Sequence, residues 1–524
     1  MPFPPLRFRP LWWALAALVG GGPAVAATPR AAPPDVVFIL ADDLGWTDLA
    51  VQGSGYYRTP ALDRLAADGM RFLSHHSCPN CQPTRAALLS GQYPPRTGVY
   101  TVGGIDRFDW SARPLRPVDN VVKLPLDRQT LADALRGAGR ATALFGKWHL
   151  GDDDDHHPLA RGFDEALVTM GKHFGFVTKP PVDHPEGEYL ADFLTDRACD
   201  FIRRHAAEPF FLYVPHFAVH GPHDAKEELV ARFRDLPAVG GHHDPVYAAM
   251  IASVDESVAR IRRQLEESGI ARRTVVIFSS DNGGVGGYVR EGLRESGGVT
   301  DNLPLRSGKG SLYEGGTRVP LLVSWPGVTP AGATCSVPTI HVDVFPTLVE
   351  IAGAPPPAQR LDGVSLVPLL RDPRATLDRD GIYQHFPGYL GADERRGTWR
   401  TTPVGSIIAG DWKLLEFFED GRLELYDLAA DPGETRNLVE REPARAAELH
   451  RRLIAWRERV GAKLPTRRDA LRPSRGARRS QLGGKPGRDE SPAWAMYAAR
   501  RRPLHWRSAR CLAMGAIPTA VFIE

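Results

Sequence analysis

Cysteine is scarce in this chain, with five in 524 residues. So few cannot staple a scaffold of this size. Net charge is nearly absent as well: 65 basic residues stand against 62 acidic ones, a formal +3. That total argues for neither a nucleic-acid nor a membrane partner. Past the N-terminal stretch no apolar run reaches eighteen residues, so no later segment is long enough to span a bilayer. No internal repeat is visible. With 24% charged and 43% hydrophobic residues, bulk disorder, a collagen repeat and a coiled coil are excluded. What the chain has in quantity is turn formers, 52 glycines and 46 prolines. The length suits one large α/β body with a smaller appendage, or two to three ordinary domains.

The two ends differ from the rest. Arg7 and Arg9 precede the apolar run Leu11–Val19, and Ala24-Val25-Ala26 is a small-x-small cleavage site. Residues 1–26 therefore read as an export signal, the alternative being an uncleaved anchor. Cleavage would leave no stable membrane span. It would also place the protein in a periplasm or outside the cell, an oxidising setting. From Arg467 to Glu524 there are thirteen Arg or Lys and four Asp or Glu. Trp494, Tyr497 and Trp506 interleave with Arg500–Arg502 there, a superficial nucleic-acid signature. The stretch lacks periodicity and reads as a disordered, non-functional extension, so no nucleic-acid partner is expected. Without both ends, residues 27–466 hold 50 basic and 58 acidic residues, a charge of −8.

Between the ends, strands alternate with helices. Asp35–Ala41 is a continuous apolar, β-branched run, the mark of a buried parallel strand. Further strands are predicted at Ala141–Phe145, within Pro209–Pro215, at Thr274–Ser279 and at Val319–Ser324. Helices are predicted over Thr59–Gly69, Gln129–Gly139 and Val246–Gly269, with another starting near Pro83. This is the pattern of a large, mostly parallel sheet covered on both faces, whose ligands sit beyond the carboxyl ends of the strands. After about residue 395, short turn-separated strands (Gly405–Ile408, Trp412–Phe417, Leu423–Tyr426) and a helix over Glu440–Val460 predict a small antiparallel subdomain at 395–466. The catalytic body is then 27–394 and the tail 467–524.

Polar residues cluster where those strands end. Asp42, Asp43, Asp281 and Asn282 follow two of them. Carboxylates brought together repel unless a cation offsets them, and oxygen-only donors favour Ca²⁺ or Mg²⁺ over zinc. Cys78-Pro79-Asn80-Cys81 has redox or zinc spacing, but no second cysteine pair and no strand–helix redox context accompany it. A helix beginning after Cys81 would aim backbone N–H groups at an anion. Lys147, His149, His220 and Lys309 follow strands or glycine-flanked turns. They suit anion binding and proton transfer near neutral pH. His75, His76, His156, His157 and His223 read as surface or supporting residues.

Cys81-Gln82-Pro83-Thr84-Arg85 with Leu89-Ser90-Gly91 resembles the signature of type I sulfatases. Five more segments resemble blocks of that family, in order: Leu40–Gly45, Gly146–Gly151, Ser280–Gly284, Gly308-Lys309-Gly310 with Tyr313–Gly316, and Glu424–Leu428 with Asp431–Glu434. The resemblance covers about residues 34–460. It implies an alkaline-phosphatase-like α/β fold and conversion of Cys81 to Cα-formylglycine by a formylglycine-generating enzyme or equivalent maturase. It implies one Ca²⁺, with Mg²⁺ as the alternative, held by Asp42, Asp43, Asp281, Asn282 and the modified Cys81. Arg85 would steady the formylglycine, Lys147 and Lys309 would grip sulfate oxygens, and His149 would handle the formylglycine hydroxyl proton. His220, with Lys309, would help protonate the leaving oxygen. The family often has Ala-Pro-His-x-Pro where this chain has Phe217-Ala218-Val219-His220-Gly221-Pro222-His223, so His223 competes for that role. Thr84 stands where serine is usual.

The resulting expectation is a sulfuric ester hydrolase acting on an aryl sulfate or a sulfated saccharide. A hydrated formylglycine attacks sulfur, and its second hydroxyl then expels sulfate, a step an unmodified thiol could not complete. A phosphomonoester or phosphonate monoester hydrolase on the same scaffold is the nearest alternative. A non-catalytic protein that binds sulfated glycans is the second. Substrate choice is expected to lie in loops 101–120, 152–190 and 285–305. Asp152–Asp155 with His156-His157 forms an unusual acidic loop among them.

Overall fold

The computed structural model describes Met1 and residues 33–293, 298–393 and 398–468. The rest of the predicted signal, and the predicted tail from residue 469, lie outside the described residues. Eight strands form the main sheet: β1 (Asp35–Ala41), β2 (Met70–Phe72), β3 (Ala141–Gly146), β4 (Glu165–Val168), β5 (Phe210–Pro215), β6 (Thr274–Ser280), β7 (Leu321–Ser324) and β8 (Ala333–Cys335). Their spatial order is β8-β2-β7-β6-β1-β5-β3-β4. All neighbours run parallel except β7, which is antiparallel to both β2 and β6. The sheet is thus mixed and mostly parallel, as the alternation of strands and helices predicts.

β1 is central, and every one of its residues is buried. Alternate side chains serve opposite faces. Val37, Ile39 and Ala41 meet helices α1 (Pro60–Asp68), α4 (Leu190–Arg204) and α5 (Pro245–Glu267). Val36, Phe38 and Leu40 meet α2 (Cys81–Ser90), α3 (Leu131–Gly137) and α6 (Val344–Ala352). A strand covered on both faces must be apolar at every position, which is why β1 shows no alternation. Helix α5 forms because Ile251, Val254, Val258, Ile261 and Leu265 recur every three to four residues and are buried. Asp244 caps it by accepting from the N–H groups of Val246 and Tyr247, each at 2.9 Å.

The second sheet is antiparallel, with β9 (Ile382–Phe386), β10 (Val404–Ala409), β11 (Trp412–Phe417) and β12 (Leu423–Asp427) in that order. It starts upstream of residue 395, because β9 pairs with β10 in register from Ile382–Ile408 to Phe386–Val404. The short run Ile-Tyr-Gln-His-Phe carries no turn signal that ties it to the strands after residue 400. Helix α7 (Pro443–Val460) closes the sheet, with Trp456 stacked on Tyr383 at 4.8 Å between ring centroids. Between β9 and β10 lies a two-stranded ribbon, Leu390–Asp393 with Thr398–Thr401.

A buried ion cluster ties this sheet to the body. Nζ of Lys413, on β11, lies 2.8 Å from Oε1 of Glu314 and 2.9 Å from Oε1 of Glu434. Glu314 also approaches His76 at 3.1 Å and Arg318 at 2.6 Å. His75 and His76 are completely buried, so of the two readings offered for them the supporting one applies.

Candidate active site

Four loops at the carboxyl edge of the sheet meet the N-terminus of α2. β1 delivers Asp42 and Asp43, β6 delivers Asp281 and Asn282, β3 delivers Lys147 and His149, and the segment after β5 delivers His220. Gly146 makes the β3 exit possible. It has φ 135°, and a Cβ there would lie 2.0 Å from the carbonyl oxygen of Pro215. Lys147 N–H then donates to that same carbonyl at 2.7 Å. Asp43 and His149 take left-handed conformations, φ 66° and 63°, which cost non-glycine residues energy and turn their side chains inward.

Helix α2 begins at Cys81, two residues before the predicted start near Pro83. Cys81 therefore stands in the first turn itself. All ten residues of α2 are buried. Thr84 braces the turn: its hydroxyl accepts from Cys78 N–H and donates to the Asn80 carbonyl, both at 3.0 Å. Cys78 is unpaired and buried, and its thiol is pushed up to about 12 by desolvation. It is an inert packing group.

The floor of the site is a set of matched charges. Arg85 donates from Nε and Nη2 to Oδ2 of Asp281, at 3.0 and 2.6 Å, and from Nη1 to the Lys147 carbonyl at 2.7 Å. Lys147 pairs with Asp42. Lys309 pairs with Asp43 at 2.5 Å. Asn282 Nδ2 donates to Oδ1 of Asp43 at 2.8 Å. Sγ of Cys81 lies 3.5 Å from Nδ1 of His149. Nε2 of His220 lies 3.7 Å from Oδ2 of Asp43. His223 instead packs edge-on against Tyr247, so in this geometry His220 is the histidine that faces the acid cluster.

Burial disfavours every charge here, and the pairs decide the outcome. Desolvation would raise Asp42, but Lys147, His220 and Arg85 overcome it and hold the carboxyl low. Asp43 is likewise lowered against burial by Lys309 and His220. Burial and Asp42 push Asp281 upward, opposed by Arg85. With two guanidinium N–H groups on one oxygen, the ion pair is the state this geometry supports. Lys147 and Lys309 are raised despite burial, by Asp42 and Asp43 respectively. His149 is held far below its usual value by burial and then by Lys147 and Arg85, which favours the neutral ring. His220 is lowered by burial, with Asp43 opposing. Its Nδ1–H donates to the Gly221 carbonyl at 2.6 Å, which turns Nε2 toward Asp43.

A cation fits the same residues. Oδ1 of Asp42 and Oδ1 of Asn282 are buried with no hydrogen-bond partner, an arrangement that is costly without a further ligand. Ligand atoms of Asp42, Cys81 and Asp281 lie within 4.8 Å of one another, as do those of Asp42, Asp43 and His220. Hard oxygen donors of this kind suit Ca²⁺ or Mg²⁺.

Three supporting residues carry no signal that the sequence reading used. Gln82 donates from Nε2 to the His149 carbonyl at 3.1 Å. His173 donates from Nε2 to the His220 carbonyl at 2.8 Å. Tyr288 donates its hydroxyl to the Lys309 carbonyl at 2.7 Å. Gln82 sits inside the recognised motif. The other two lie within loops 152–190 and 285–305, where only a folded chain reveals what they support.

A mostly parallel sheet that gathers carboxylates, lysines and a helix-borne Cys81 at one edge defines an alkaline-phosphatase-like ester hydrolase. The sulfatase family profile matches residues 34–354, and that of the N-sulphoglucosamine sulphohydrolase C-terminal region matches 308–459. A sulfatase of Formosa agariphila is 33% identical, over 81% of this chain and 88% of its own. The N-acetylgalactosamine-6-sulfatase of Sus scrofa is 35% identical, over 78% of this chain and 77% of its own. The crystal structure of Ps i-CgsB in complex with k-i-k-neocarrahexaose superposes with a TM-score of 0.67 at 28% identity, covering 81% of this chain and 92% of that one. The chain belongs to the type I, formylglycine-dependent sulfatase family. Its reaction class is the hydrolysis of sulfuric esters. No helix among the described residues is long and apolar enough to cross a membrane.

Proposed function

We propose that this sulfatase acts on a sulfated saccharide, with Cys81 converted to formylglycine as its nucleophile. The observation that carries the assignment is the position of Cys81: first turn of α2, 3.5 Å from His149, and a potential co-ligand of Asp42 and Asp281. The named activity of the Sus scrofa relative and the oligosaccharide in the Ps i-CgsB structure support the saccharide class. The signal-like residues 1–26 support action in the periplasm or outside the cell, after maturation by a formylglycine-generating enzyme or its equivalent.

Each floor residue has a role that its environment suits. Asp42, Asp43, Asp281 and Asn282, with the modified Cys81, would hold Ca²⁺ or Mg²⁺. When bound, that ion supplies Lewis-acid activation and charge neutralisation at the sulfuryl group. Three carboxylates and three cations balance on the floor, so a divalent ion would leave the pocket positive, the sign an anionic ester needs. Lys147 and Lys309, both kept protonated, bind sulfuryl oxygens and stabilise charge that develops there. Arg85 fixes Asp281 and steadies residue 81. Neutral His149 takes the proton from the hydroxyl at residue 81. His220 and Lys309 deliver a proton to the departing alcohol oxygen.

The test is Cys81→Ala, compared with wild type by turnover of a sulfate ester, by circular dichroism and by intact mass. The expected variant is folded and inactive, while the wild type carries the mass change of thiol-to-aldehyde conversion. Wild-type turnover by the folded alanine variant would overturn the assignment.

A further inference from the structure

The floor pairs every cation with an acid, but the rim does not. Two arginines on neighbouring segments, Arg107 and Arg400, have no acidic partner among the described residues. Arg107 lies on the 101–120 loop. Its contacts are a donation from Nη1 to the Val102 carbonyl at 3.2 Å and the face of Phe108, 5.1 Å from its guanidinium. Arg400 lies on the ribbon between β9 and β10. Its guanidinium sits 4.5 Å over the ring of Tyr288, and its Nε is buried with no hydrogen-bond partner.

Both are anchored to the catalytic loops. Tyr288 donates to the Lys309 carbonyl, and a Cβ on Gly310 would meet Cδ of Arg400 at 3.6 Å, so Arg400 lies beside the Lys309 turn. The Arg107 loop is tied to the residue before Cys81, since Asn80 Nδ2 donates to Thr101 Oγ1 at 2.9 Å. Asn120 clamps the same loop by donating from Nδ2 to the carbonyls of Thr101 and Gly103, at 2.9 and 2.6 Å. Phe108 packs edge-on against Trp399, beside Arg400. Although Arg107 is exposed, desolvation lowers its pKa, a thiolate at Cys81 would oppose that, and repulsion from Arg400 adds to it. Arg107 over Phe108, and Phe108 against Trp399, bring the two arginine-bearing segments together. Two like charges with no acidic partner among the described residues form a site for an anion.

We infer that Arg107 and Arg400 form a second anion subsite at the rim, which selects sulfate esters that carry a further carboxylate or sulfate group. The inference rests on the saccharide reading above and narrows it to acidic or multiply sulfated saccharides. A monosulfated neutral sugar would fill the floor and leave the rim unused. A sugar with a uronic acid neighbour, or with a second sulfate, would engage both.

The test compares kcat/KM for three esters: a monosulfated N-acetylhexosamine, the same unit linked to a uronic acid, and its disulfated form. Wild type should favour one or both dianionic substrates, and its KM for them should rise more steeply with salt. Arg107→Gln with Arg400→Gln should lower that preference by about ten- to a hundredfold, mostly through KM, as expected for losing hydrogen bonds to a charged group. Uronate preference identifies a carboxylate ligand, and preference for the disulfated unit identifies sulfate. Equal kcat/KM for all three esters in the wild type would overturn the inference alone. So would a double variant that slows all three equally, because that is the signature of a merely structural role through Phe108 and Tyr288. Failure of the wild type to hydrolyse any sugar sulfate, while it hydrolyses an aryl sulfate, would overturn the saccharide reading itself.

Discussion

Asp42, Asp43 and Asp281 are buried within one site, and each is held by a different cation. Lys147 and Lys309 come from two separate loops and Arg85 from helix α2. Removing one partner strands the other in a medium that does not solvate it. Lys147→Met should therefore cost about 3–5 kcal/mol in denaturant unfolding, besides abolishing turnover. Asp281→Asn probes the cation directly. In wild type, excess Ca²⁺ should raise the melting temperature over EDTA. At about 100 times Kd the stabilisation is about 2.7 kcal/mol. Asp281→Asn should lose most of that shift, and an unchanged shift would place the ion elsewhere. At this scale nearly every floor residue is legible in the sequence, because each sits immediately beyond a strand end or inside a short glycine-flanked motif. His220 is the exception. Its neighbour His223 competes with it in the sequence, and the bond from Nδ1 to Gly221 and the approach to Asp43 favour His220.

The strands and helices bring these residues together through tight exits. The clearest is β3, where Gly146 crosses the Pro215 carbonyl at a distance no Cβ could share. Gly146→Ala should destabilise by about 2–4 kcal/mol and displace Lys147, lowering kcat as well as stability. A variant with wild-type melting would show that this exit relaxes freely. β9 shows an element acting through a buried histidine. His385 donates from Nε2 to the Lys463 carbonyl at 2.8 Å, and burial lowers its pKa to about 4. The folded state therefore lacks a proton that the unfolded chain takes up below about pH 6.5. This contribution to stability is complete above that pH and is lost as pH falls toward 4. His385→Gln should make the fall in stability between pH 6 and 4.5 shallower, by up to about 1.4 kcal/mol per pH unit. An identical slope would mean that His385 titrates normally. Elements with a clear period or an unbroken apolar run, such as β1 and α5, are readable from the chain. β9 and the ribbon after it are not, because five residues of mixed polarity acquire a strand's identity only from their partner.

Across the whole molecule, the antiparallel sheet contributes to the catalytic body in two ways. It buries Lys413 between Glu314 and Glu434, and its neighbouring ribbon sets Arg400 over Tyr288. Lys413→Met would take the cation from Glu434 and leave Glu314 with Arg318 and His76. It should cost about 3–5 kcal/mol, with the body and the small sheet losing structure in one transition. Two resolved transitions would show that the lobes are not energetically joined.

The chain by itself determined the fold class and the family, and it singled out Cys81 with the neighbouring acids and cations as the candidate site. These are written in local patterns: unbroken apolar runs, strand-end acids, and a five-residue motif ahead of a helix. Tertiary structure alone decided what stands above that floor. Arg107 and Arg400 are 293 positions apart in the sequence, and no local rule relates them. Their proximity follows from how a surface loop and a ribbon pack through Phe108 and Trp399. On the proposed reading, specificity depends on long-range packing, whereas the candidate residues for the sulfate chemistry are those that the strand ends place directly.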